Sequence, residues 1–355
     1  MLLKLNNIIV YSLVALLISA ILYPIYISIL RKYKLWKTIR ENTATGEKSQ
    51  IFAEMHSHKK WTPTMWWWVF LLVMALMILA SFFLQKFGWI NNTLLSRQET
   101  YILLFGFFSM WLIWFVDDLL NIKWHWAVKW LSAKSKLIWM FLFAWFISRW
   151  FYSKLGIDYI NLRPIAWKID LWIFYPILTF FITIAIVNAI NITDWLDGLA
   201  GGWMTIILFM MAIVTFFNQT YIATTVIGIV IAILIAFMFF NINPAKIFMW
   251  DSGAFALWWL LSALLYLLNM RMWIFVPFVI LFALFILDTL SSFLQIMSKK
   301  LFHKKIFTVA PFHHLLERNW MGEATIVMKA WLLQWILAAI TIILVFYQFN
   351  GKFIG

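Results

Sequence analysis

The sequence predicts an all-α integral membrane protein with about ten transmembrane helices, both termini outside and the active site at the cytoplasmic face. Three observations predict it. Of 355 residues, 65% are hydrophobic and 12% charged, against about 45–50% and about 25% in soluble domains. Apolar runs long enough to cross about 30 Å of hydrocarbon recur along the whole chain. Lysine and arginine are divided unevenly between alternate connections, and cytoplasmic loops retain the positive charge. Cysteine is absent, which excludes disulfides and thiolate metal sites.

In order, the predicted spans are 8–30, 65–84, 101–116, 137–152, 171–189, 204–218, 221–240, 253–269, 273–297 and 330–348. The first lacks a small-residue cleavage site and runs into basic residues, so it reads as a retained helix rather than a removed signal peptide. Placing alternate connections on opposite sides puts 19 of the 28 Lys+Arg on one side, with eight in 31–64 and six in 298–329. That side is cytoplasmic, which leaves both termini outside. The net charge of +14 then reflects topology and affinity for anionic membrane lipid, not nucleic acid. No internal repeat stands out, so 1–355 reads as a single polytopic membrane domain.

The outer connections are short or bland, whereas the inner ones are chemically dense. Asp117, Asp118, Asp194, Asp197, Asp251, Glu317, Glu323 and all six histidines fall in or beside inner loops. Acidic residues and histidines played no part in assigning the sides, so their segregation independently points to chemistry at the cytoplasmic face.

Four clusters carry that chemistry. Asp117 and Asp118 are adjacent at the inner end of the third span, costly at a membrane boundary unless a cation or donors compensate them; a solvated helix end is the alternative. Asn188, Asn191, Asp194 and Asp197 recur every three residues, so on a helical turn they form one polar stripe able to bind a ligand or metal. Asn, Asp and Gly also mark helix ends. Asp251 opens the eighth span, either as a hard oxygen ligand of the kind Mg²⁺ prefers or as a helix cap. His313 and His314 stand near Glu317 in a lysine-rich loop with no third His or Cys to complete a zinc site. Phosphate binding suits that basic setting better. Carboxylates for a divalent cation, basic groups for phosphates and amides for a polar head group together imply an integral membrane phosphotransferase. A transporter would place its binding residues near mid-bilayer and show paired repeats, whereas the carboxylates of these clusters lie at loop-helix junctions and no repeat is seen.

Taken in order, Lys59 to Met65 (KKWTPTM), Phe115 to Asp118 (FVDD), Asn188 to Gly198, Phe248 to Asp251 (FMWD) and Ala310 to His314 (APFHH) form a recognisable series. The chain resembles the bacterial phospho-N-acetylmuramoyl-pentapeptide transferases, within the polyprenyl-phosphate N-acetylhexosamine-1-phosphate transferase superfamily. The similarity is collinear from about residue 56 to residue 331 and includes Leu287 to Ser291 and Gln295 in the ninth span. The resemblance implies a ten-helix enzyme of the bacterial inner membrane, often a homodimer. It moves phospho-MurNAc-pentapeptide from UDP-MurNAc-pentapeptide to undecaprenyl phosphate with Mg²⁺, giving lipid I and UMP. It further implies that Asp251 ligates Mg²⁺, that Asp117 and Asp118 sit at the reacting phosphates, and that Phe248 stacks on uracil. Asn188, Asn191, Asp194 and Asp197 would line the nucleoside pocket; Lys59, Thr62, Lys136, His313 and His314 would position phosphates or the nucleotide-sugar. A transferase for another UDP-amino-sugar, such as UDP-GlcNAc, is the alternative. Two departures from the family pattern remove donors near phosphate: Asn121 stands where a lysine is usual, and Leu315 where a third histidine is usual.

The chain has 25 Trp and 12 Gly, whereas ordinary usage of about 7% predicts about 25 glycines. Trp61, Trp66, Trp67, Trp114, Trp195 and Trp250 all lie within or beside the motifs, at positions where the resembled family has glycine. Interfacial aromatic belts account for some tryptophan but not for that coincidence. The expectation is a gene that reads UGA as glycine, translated with a table that reads it as tryptophan.

Overall fold

The computed structural model describes residues 2–34, 62–63, 66–96, 100–101, 103–104, 108, 133–162, 168–249, 257, 259–268, 275–319 and 321–348. Long apolar segments become helices because hydrocarbon offers no partner for backbone N–H and C=O, and only a helix satisfies them within one segment. In chain order the helices among the described residues are α1 (Leu2–Lys32), α2 (Trp67–Lys86), α3 (Ala133–Leu155), α4 (Tyr175–Thr193), α5 (Leu199–Phe217), α6 (Tyr221–Asn241), α7 (Trp259–Leu268), α8 (Phe275–Leu281), α9 (Ala283–Phe302), α10 (Phe312–Arg318) and α11 (Glu323–Gln348), of which α8 and α10 are short.

Among the described residues, six helices are long and apolar enough to cross a membrane, or seven if the bent pair α8 and α9 counts as one span. Lys134, Lys136, Arg149 and Lys154 interrupt the apolar run of α3, and the predicted span 101–116 lies mostly outside the described residues. Apolar side chains on the outward faces of α1 (Leu13, Leu17, Ile21) and α11 (Leu332, Ile336, Ile343) are exposed. In water they would form a large apolar patch; facing lipid tails they need no cover.

The bundle is built around α6. Helix α1 lies along it, α5 packs on its other side, α11 packs on α5, and α8 on α11, while α4 carries both α3 and α9. Met204, Ile207 and Leu208 of α5 meet Ile227, Ile233 and Phe237 of α6 in the fully buried centre. The close approach of α1 depends on Gly228: a Cβ there would come 2.5 Å from Ser12 Oγ, the small-residue contact that lets membrane helices pack closely.

Two features depart from the predicted pattern. The ninth span, 273–297, is not one straight helix, because α8 and α9 are bent by 69° at Phe282. Gln334 of α11 donates from Nε2 to the carbonyl of Leu281 at 2.8 Å, which supplies a partner at the break where a carbonyl in hydrocarbon needs one. The chain thereby leaves α11 and crosses onto α4. The connection after α3 also forms a small antiparallel hairpin, β1 (Tyr159–Asn161) and β2 (Lys168–Asp170), pairing Ile160 with Ile169. Lys168 Nζ reaches Asp170 at 2.7 Å and stands 4.1 Å from the centre of the Tyr159 ring.

Candidate active site

Helix α4 ends at Thr193, and Asp194 is its C-terminal cap, donating its backbone N–H to Ile190 at 3.1 Å. The predicted stripe is therefore broken. Asn188 and Asn191 lie on the last turns of α4, but Asp197 lies in the turn leading to α5. The Asn/Asp/Gly run acts as a helix terminator, the second reading that its composition allowed. Asn188 donates its side-chain amide to the carbonyl of Ile184 in its own helix, at 2.9 Å.

Past that turn Gly198 has φ +81°, a left-handed conformation that glycine adopts without steric cost. This lets the chain reverse into α5 with the Gly198 N–H donating to Asn241 Oδ1 at 3.2 Å. Asp197 is buried, and its Oδ2 accepts from Asn243 Nδ2 at 3.2 Å and from the Ala245 N–H at 3.0 Å. The Asp197 N–H in turn donates to Glu323 Oε1 at 2.6 Å, and Asn243 Nδ2 is also 3.2 Å from Glu323 Oε2. The turn after α4, the 242–248 connection and the first turn of α11 are thus joined by one polar cluster.

The same connection leads to Phe248, largely buried at 9% exposure, whose N–H donates to the Pro63 carbonyl at 2.9 Å. That bond brings the segment containing Thr62 against the one containing Phe248. Helix α10 closes the cluster. His313 Nδ1 is 2.8 and 3.0 Å from the two carboxylate oxygens of Asp288 on α9, and the His313 backbone N–H donates to Asp288 Oδ1 at 3.2 Å. His314 Nδ1 contacts Glu317 Oε2 at 2.5 Å, and its ring centre is 6.5 Å from that of Trp195. Burial pushes His314 below the ordinary histidine value, while the hydrogen bond to Glu317 opposes the shift.

The structure thus gathers Thr62, Asp194, Asp197, Phe248, His313 and His314 through a chain of hydrogen-bonded and packed segments. Lys59, Asp117, Asp118 and Asp251 lie outside the described residues, as does the side chain of Lys136, which is carried on α3. Among the described residues no three His, Asp or Glu side chains converge as a metal site. Asn241, Asn243 and Asp288 were not singled out as site residues from sequence. Asp288 had a usable signal, since an acidic residue within an apolar span is a functional-site candidate by default. Glu323 was counted only among the inner acidic residues.

The tryptophans at motif positions fare differently. Trp66 is 1% exposed, between Phe70 and Phe237, and its buried Nε1 has no hydrogen-bond partner among the described residues. Trp195 is 43% exposed. Trp61, Trp114 and Trp250 lie outside the described residues.

The family model of glycosyl transferase family 4 matches residues 100–269, which include Asp117, Asp118, Asp194, Asp197 and Asp251. The chain is 33% identical to a phospho-N-acetylmuramoyl-pentapeptide-transferase of Clostridium beijerinckii over 317 residues, 88% of each chain. It is 31% identical to the protein of the same name from Petrotoga mobilis, over 90% of this chain and 93% of that one. The identity to its Bacillus cytotoxicus namesake is also 31%, over 93% and 95%. Similarity on this scale covers far more of the chain than the family-model match, and the chain belongs to the phospho-N-acetylmuramoyl-pentapeptide-transferase family.

Proposed function

We propose that this chain transfers phospho-MurNAc-pentapeptide from UDP-MurNAc-pentapeptide to undecaprenyl phosphate, forming lipid I and UMP for peptidoglycan synthesis. The observation that carries this reading is 33% identity across 88% of a protein bearing that name. The gathering of separate polar motifs at one end of a lipid-facing bundle supports it. The chain sits in the bacterial inner membrane with ten spans, both termini outside and the site on the cytoplasmic side, where the excess of lysine and arginine lies.

Mg²⁺ fits the donor set, because the candidate groups are carboxylates and the chain has no thiol. Asp251 is the proposed ligand, with Asp117 and Asp118 at the reacting phosphates. When bound, the metal neutralises phosphate charge during transfer. Asn191 and Asp194 border the nucleoside, and Asp197 holds the connection that presents Phe248 to the base. Lys59, Thr62, Lys136, His313 and His314 position phosphates or the nucleotide-sugar.

The test is purified protein with Mg²⁺, undecaprenyl phosphate and each of several UDP-sugars in turn, with UMP as the readout. UMP is expected from UDP-MurNAc-pentapeptide. Release only from UDP-GlcNAc would reassign the donor, and no UMP from any donor would overturn the enzyme reading.

A further inference from the structure

We infer that Asp288 is a positioning residue for the proposed transferase: it holds the His313 imidazole with a proton on Nδ1, so that Nε2 is presented to an oxygen of the nucleotide-sugar. The inference deepens the transferase reading and rests on it for the identity of the substrate.

The geometry is that of an oriented imidazole. Asp288 projects from α9 with a nearly buried carboxylate, and both of its oxygens lie within hydrogen-bond distance of His313 Nδ1. An ionised carboxylate only accepts, so the shared proton is on Nδ1, and the second ring nitrogen is left as the group free to change partners. The carboxylate is itself held. Oδ1 also accepts the His313 backbone N–H at 3.2 Å, and Thr193 Oγ1 lies 3.1 Å from Oδ2 while also 2.8 Å from the Ala189 carbonyl. Asp288 therefore ties the start of α10 to the last residue of α4, directly before Asp194.

The other end of the ring shows what this orientation serves. The His313 side chain is 4% exposed, and its Nε2 is buried with no hydrogen-bond partner among the described residues. Nearly all buried polar atoms are paired, and a ring nitrogen left unpaired beside a carboxylate that is itself held marks a place where a ligand atom completes the set. Around the ring stand Asp288 on α9, Thr193 on α4, and His314, whose ring centre is 4.3 Å away, with Glu317 behind it on the same helix. Glu317 engages Nδ1 of His314, so the two adjacent imidazoles are each oriented by their own carboxylate.

A purely structural role is the competing account, since Asp288 also anchors α10 through the backbone bond. Two readouts separate them. In turnover assays, Asp288→Asn is expected to lower kcat by about 100-fold with little change in KM, and Asp288→Glu to restore part of the loss. On a His313→Gln background, Asp288→Asn should add less than about twofold, because a residue acting through His313 has nothing left to orient. Multiplicative losses, or unchanged kcat in Asp288→Asn, would overturn the inference.

The second readout does not depend on activity. In full-length protein labelled with ¹⁵N-histidine, the His313 signals are identified by their loss in His313→Gln. They should show a protonated Nδ1 in the wild type, and an Nε2-protonated neutral ring should emerge in Asp288→Asn. A wild-type ring protonated on Nε2 alone would overturn the inference even if Asp288→Asn fails to fold. If no donor yields UMP, the transferase reading fails, while the ring spectrum still decides what Asp288 does.

Discussion

Glu323 Oε1 accepts a 2.6 Å hydrogen bond from the backbone N–H of Asp197, which fastens the first turn of α11 to the turn that ends the Asn/Asp run. Asn243 completes a triangle by donating toward both carboxylates at 3.2 Å. Removing one corner leaves polar groups without partners in a partly buried place. Glu323→Ala is expected to destabilise the protein by roughly 1–3 kcal/mol, seen as a lower thermal midpoint in detergent. Glu323→Gln keeps an oxygen for the Asp197 N–H and should lose less. Equal midpoints for wild type and Glu323→Ala would show that the triangle contributes nothing.

His314 supplies a pH dependence with a defined sign. Burial lowers its folded-state value below the ordinary 6.5, against the opposing bond to Glu317. The unfolded chain then binds the proton more readily, so this contribution to stability is complete above 6.5 and is lost as pH falls through the lowered value. The thermal midpoint of the wild type should drop through that window more steeply than that of His314→Gln. Parallel curves for the two proteins would remove His314 from the acid response.

Asp117 separates two chemical routes. A phosphate monoester has a second pKa of about 6, so at neutral pH the lipid phosphate is already mostly dianionic, and a carboxylate of pKa about 3.9 adds little as a base. Direct one-step attack by the lipid phosphate is therefore the expected route, against a two-step route in which Asp117 or a neighbour becomes a covalent nucleophile. Asp117→Asn is expected to abolish UMP release without accumulating a phospho-enzyme. Trapping a covalent sugar-phosphate adduct on the wild-type protein would refute the one-step route.

The tryptophan excess gains two structural observations. Trp66 buries an indole N–H with no partner among the described residues, a loss of about 1–3 kcal/mol. Trp172 has φ +48°, in the left-handed region where a bulky residue is an outlier and glycine is at ease. If UGA encodes glycine in the source lineage, intact-mass measurement of the native protein will show about 129 Da less per replaced residue, the indole side chain being exchanged for hydrogen. UGG codons at Trp195 and Trp250 would end the idea.

The membrane class and the six or seven long apolar helices among the described residues were readable in the sequence. Apolar length, charge asymmetry and motif order are properties of neighbouring residues, and hydrocarbon leaves such segments little choice but to be helical. The Asn188 to Asp197 run shows the limit of local reading. Its three-residue spacing fits a stripe and its composition fits a helix end, and only the observed termination at Thr193 decided between them.

The pairing of Asp288 with His313 could not be read from sequence at all. An acidic residue in an apolar span requires a compensating partner, but that requirement does not say which residue will provide it. The choice was made by the 69° bend at Phe282, which turns α9 away from α11 and onto α4. There the carboxylate meets Thr193 and the start of α10. Solvent preference is written residue by residue along the chain, whereas the partner of a buried charge is settled by which helices pack together.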